Sequence, residues 1–90
     1  MRHDDAQSIA ILALSYLTRD QDRLDRFMGW TGLAIDDLAQ AAANPDMLGG
    51  VLDYLLSDEP LLLAFAEDAS LAPEDPALAR QALPGYMPQM

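Results

Sequence analysis

The chain contains no cysteine and no lysine, and only one histidine, one tryptophan and two phenylalanines in ninety residues. Without cysteine there is no disulfide framework and no thiolate chemistry. A lone histidine cannot build a zinc site, and His3 has no second histidine or any cysteine to join it. Long apolar runs are missing too: Ile9 to Leu14 and Leu61 to Ala66, the longest, are equal in length and far short of the roughly 20 residues a bilayer span requires. Segments that alternate apolar and polar with period two are absent, as are Asn-Gly hairpin signals. Asp4 and Asp5 precede the first apolar run with no small-residue cleavage site nearby, which argues against a signal peptide. The expectation is one small cytoplasmic domain with no membrane association.

What is present is acid and helix. Fifteen acids face five arginines, for a formal charge of −10, and 51% of the residues are hydrophobic. The periodicity is helical throughout. Ile9, Leu12, Ala13, Tyr16 and Leu17 form the inward stripe of a first helix capped by Asp5, apolar enough to be central. Asp20 opens a second helix carrying Leu24, Phe27 and Met28, and Gly32 ends it. Ile35 to Ala43 forms a third, with Leu38 and Ala42 inward. Asn44-Pro45 starts a fourth with Leu48, Val51, Leu52, Tyr54 and Leu55. Asp58-Glu59-Pro60 starts a fifth with Leu62, Phe65 and Ala66, and Ala72-Pro73-Glu74-Asp75 a sixth that ends near Leu83. The fold class is all-α, a small bundle of five to six short helices over 6–83, between a tail at 1–5 and a frayed tail at 84–90.

Residues 14–41 return as residues 52–79. Eleven of 28 aligned positions are identical, among them Leu14/Leu52, Tyr16/Tyr54, Leu17/Leu55, Asp20/Asp58, Phe27/Phe65, Asp37/Asp75 and Ala41/Ala79. Composition alone gives roughly three. The matches fall at core positions and helix starts, so the chain reads as two similar three-helix units closed on each other.

Most acids sit at predicted helix starts, where they cap amides and complement the macrodipole. Only Asp25, Asp53, Glu67 and Asp68 need another account, and Asp53 is expected to be solvated. The stretch Asp20, Asp22 and Asp25 fails as a calcium loop: Leu24 stands at its fifth position, no glycine at its sixth, and Thr31 at its twelfth. Four serines lack a nucleophile elbow or a placed base, and Gly49-Gly50 is not followed by the Gly-Lys of a phosphate loop. No cofactor, metal or catalytic residue is expected, and the chain is not expected to be an enzyme.

The stretch "IDDLAQAAANPDMLGGVLDYLLSDEPLLLAF" resembles the helix-turn-helix of tetracycline-repressor-type regulators. Its charge contradicts DNA binding: Phe27 to Ala79 holds ten acids and no base, and phosphate contacts need donors, usually basic. Trp30 is expected in the core, the commoner place for tryptophan in a small bundle, with an exposed interface anchor as the alternative. The segments "RFMGWTGL", "DDLAQAA", "NPDMLGGVLDYLLSDEPLLLAFA" and "LAPEDPALARQAL" together resemble the alphaproteobacterial family called domain of unknown function 3572, from about Ala6 to Leu83. The resemblance implies a small bacterial cytoplasmic helical protein and carries over no activity, cofactor or site residue.

The functional expectation is a non-catalytic module that binds another protein, or a second copy of itself, through a helical face. The alternative is an acidic regulator or decoy on a basic, nucleic-acid-binding protein surface. The expected docking face lies around Leu56, Leu61 and Leu63 and a Gly49-Gly50 turn, because the fourth and fifth helices carry more leucine than their inward stripes use.

Overall fold

The computed structural model describes residues 1–84. Six helices follow one another: α1 (His3–Thr18), α2 (Gln21–Thr31), α3 (Ile35–Ala41), α4 (Pro45–Leu56), α5 (Glu59–Asp68) and α6 (Asp75–Ala82). No strand occurs among the described residues. Residues 85–90, most of the expected C-terminal tail, lie outside them.

The helix starts follow from local chemistry. The Asp20 carboxylate accepts the Asp22 and Arg23 amides, the Asn44 side chain accepts the Asp46 amide ahead of Pro45, and the Asp58 carboxylate accepts the Leu61 amide. Each satisfies an amide that the first helical turn leaves without a partner. Gly32 ends α2 in the left-handed region at φ 76°, its amide donating to the Met28 carbonyl. That conformation costs a glycine nothing.

α1 begins two residues before Asp5, with Arg2 as its N-cap, so part of the expected N-terminal tail is helical. α3 stops at Ala41, two residues short of the expected Ala43.

α4 is the hub and packs against all five other helices. The expectation of a central α1 is only partly met: α1 packs against α2, α4 and α6, but Ile11 and Leu12 face solvent. Its inward face is instead Ala6, Ile9, Ala10, Ala13, Leu14, Tyr16 and Leu17. Three alanines there let neighbouring backbones approach closely. On α3 the buried residue is Ala41, while Ala42 is exposed.

The two units meet through an exchange of rings. Tyr16 of the first half packs on Phe65 of the second, with centroids 5.6 Å apart. Phe27 of the first half packs on Tyr54 of the second at 5.3 Å. Both phenylalanines are fully or almost fully buried. The helix starts match as well: the Asp37 carboxylate accepts the Ala34 amide at 2.9 Å, and the Asp75 carboxylate accepts the Ala72 amide at 3.0 Å. Leu17/Leu55 and Ala41/Ala79 are buried pair by pair.

The halves differ in their third helices. α6 lies against α1, α4 and α5, whereas α3 packs on α4. Arg80 of α6 is buried, and its Nε donates to Asp53 Oδ1 at 2.6 Å. Asp53 is therefore ion-paired rather than simply solvated. At the positions equivalent to Arg80, Asp53 and Gly49, the first half has Ala42, Ser15 and Ile11.

Candidate functional site

Trp30 sits on the last turn of α2 and is 54% exposed, not in the core. Its ring rests edge-on against Tyr54, with centroids 5.4 Å apart, and its other side is free to meet something else. The reason is geometric. Phe27 lies three residues earlier on the same helix and is the fully buried neighbour of the Tyr54 ring.

Beside Trp30 an apolar groove of about 310 Å³ runs between the C-terminal half of α2 and the N-terminal half of α4. Phe27, Trp30, Thr31, Leu33, Met47, Gly50 and Val51 line it. Local chemistry holds these walls in place. The Thr31 hydroxyl donates to the Phe27 carbonyl at 2.9 Å and accepts the Leu33 amide at 3.3 Å. With the Gly32 turn, this brings Leu33 back over the groove.

Gly50 leaves the groove open. A Cβ added to it would meet nothing within 4 Å, and its φ is not positive. Neither packing nor backbone conformation calls for glycine there, yet glycine inside a helix costs about 1 kcal/mol relative to alanine. Gly49 is a different case, since its Cβ would lie 3.0 Å from Arg80 Nη1. Both glycines are in mid-helix, not at a turn.

The five expected docking residues do not share one face. Gly49 is buried under the Arg80 guanidinium, and Gly50 opens on the Trp30 groove. Leu61 packs partly against the core and lines a separate hollow of about 270 Å³ with Arg23, Arg26, Tyr54 and Asp58. Leu56 is half-buried, and Leu63 is 45% exposed. Sequence reasoning left Trp30 between core and interface and missed Leu33 and Met47 as wall residues. The available signal was the repeat. At the positions equivalent to Gly50 and Trp30, the first and second halves carry Leu12 and Asp68. The groove therefore lies where the two halves diverge.

A polar hollow of about 530 Å³ is lined by Tyr16, Arg19, Arg23, Ala64, Glu67 and Asp68. Both its cations have a partner, though Arg23 Nε is buried without a hydrogen bond. Arg23 stacks over the Tyr16 ring at 3.8 Å, and Arg19 donates to Asp68. Of the two remaining acids without a helix-start role, Asp25 accepts from Gln21 at 2.7 Å, and Glu67 lines this hollow.

Tyr54 touches the Trp30 ring and lines the hollow that holds Arg23, Arg26 and Asp58. Burial raises its hydroxyl pKa above the ordinary tyrosine value, and the nearby Asp58 carboxylate adds to the rise, opposed by Arg26. No helix among the described residues is long and apolar enough to cross a membrane.

The profile of the family described as "Protein of unknown function (DUF3572)" matches residues 3–86. The chain belongs to that family. No curated protein and no solved structure matches it.

Proposed function

We propose that this member of the DUF3572 family is a non-catalytic interaction module of the bacterial cytoplasm, and that its α2–α4 groove receives apolar side chains of another protein. The observation that carries this reading is the exposed Trp30 standing over the Gly50 opening. Tryptophan is enriched at interface hot spots, where it is buried on association. The fold would be more stable with alanine at position 50, and the glycine is understandable if something must lie close to the α4 backbone there.

The second reading, an acidic decoy, draws on the base-free stretch from Phe27 to Ala79. Against it, five of those carboxylates are already engaged within the fold. Asp37, Asp58 and Asp75 accept backbone amides, and Asp53 and Asp68 pair with arginines. Decoy activity needs a regular outward array of negative charge.

The test is affinity capture from source cells with wild-type and Trp30→Ala baits of equal helicity. A protein retained by the first bait and lost from the second supports the docking reading. If both baits retain the same proteins equally, the groove is not the docking site.

A further inference from the structure

We infer that the occupant of the α2–α4 groove is a basic amphipathic peptide segment, with one or two bulky apolar side chains as anchors and Lys or Arg on its flanks. This rests on the docking reading and adds the chemistry of the partner.

The anchors follow from the lining. Phe27, Leu33, Met47 and Val51 offer apolar surface, and Gly50 lets a ligand backbone or a branched side chain approach α4. Apolar anchors from one face of a short helix are a recurrent way to fill such a groove.

The flanks follow from charge. The chain that walls the groove, residues 27–51, has no base and three acids, Asp36, Asp37 and Asp46. Asp36 and Asp46 are exposed. The groove lining itself contains no cation. Arg80 is buried against Gly49 and bonded to Asp53. Arg26 lines the hollow shared with Tyr54 and Asp58. A chain of formal charge −10 attracts a basic segment and repels an acidic one. The same charge opposes a second copy as occupant, because two identical acidic rims would meet across the two-fold axis.

The experiment is selection from a displayed library of random short peptides on the wild-type protein and on two variants. Trp30→Ala removes the exposed ring. Gly50→Leu installs what the first half already carries at position 12, and circular dichroism checks that both variants fold. Synthetic versions of the selected peptides are then titrated against the fluorescence of Trp30, the one tryptophan. The expected result is enrichment of net-basic peptides with apolar residues at helical spacing on the wild type alone. Their affinity should fall roughly tenfold or more between about 0.05 and 0.5 M salt.

Enrichment of neutral or acidic apolar peptides would overturn the basic partner and leave the groove as a docking site. No enrichment over the two variants would overturn both. If the wild type sediments as a dimer that Gly50→Leu dissociates, the occupant is a second copy and the inference fails.

Discussion

Tyr16 and Phe65 touch across the two halves of the chain at 5.6 Å, and their counterparts Tyr54 and Phe27 touch at 5.3 Å in the opposite sense. Each half thus supplies a tyrosine to the other half's phenylalanine. Aromatic pairs of this kind add about 0.5–1.5 kcal/mol beyond area burial. Double-mutant cycles with leucine at Tyr16 and Phe65, and again at Tyr54 and Phe27, are expected to give coupling energies in that range for both pairs. Urea unfolding followed by circular dichroism measures them. A coupling below about 0.3 kcal/mol in either pair would mean its rings are merely neighbours.

The two central glycines are expected to respond oppositely to alanine. Gly50→Ala gains helix propensity with no clash, and stability should rise by about 1 kcal/mol. Gly49→Ala pushes on a guanidinium that is buried and bonded to Asp53. It should be no more stable than the wild type, despite the same propensity gain. Equal stabilisation by both substitutions would show that Arg80 is free to move.

The matched caps invite a matched test. Asp20→Ala and Asp58→Ala each leave first-turn amides unpaired. Each should cost about 0.5–2 kcal/mol, and thermal unfolding reads both. A cost confined to one of them would show that the two helix starts are not energetically equivalent.

Tyr54 sets an alkaline limit. Its pKa in the fold lies above the unfolded value, which is about 10. The folded state therefore holds this proton more tightly, and the stability it represents is complete below about pH 10 and is lost as pH rises through the folded pKa. Stability measured from neutral pH upward should be flat with respect to this group and then decline. Tyr54→Phe should make that decline shallower. An unchanged alkaline slope in the variant would remove Tyr54 as its source.

The helical class, the helix starts after α1 and the 38-residue sequence repeat were legible because each rests on local signals; α1 starts at His3 behind Arg2, ahead of the expected Asp5 cap. Asp20, Asn44 and Asp58 announce their helices within three residues, and Tyr16, Phe27, Tyr54 and Phe65 occupy equivalent stripe positions. The position of Trp30 was not legible, because composition favours burying a lone tryptophan. Phe27, not Trp30, takes the buried place beside the Tyr54 ring, and that contact spans two helices. Arg80 escaped for a similar reason: its partner Asp53 is 27 residues away, and the first half has alanine and serine at the equivalent positions. Leu61 and Leu63 look alike in sequence, and only the placement of α5 separates the partly packed one from the exposed one.

The exchange of rings also bears on what a single half could be. Severed between Ala43 and Asn44, each piece would keep a phenylalanine and lose the tyrosine that covers it. A chain of half this length would have to recruit a second molecule to shelter that ring, and its folding would depend on its own concentration. Joining the halves replaces that encounter with a tether, whose effective concentration is on the order of millimolar for a short flexible link. The short connection at Ala42–Asn44 thereby turns an assembly step into a folding step.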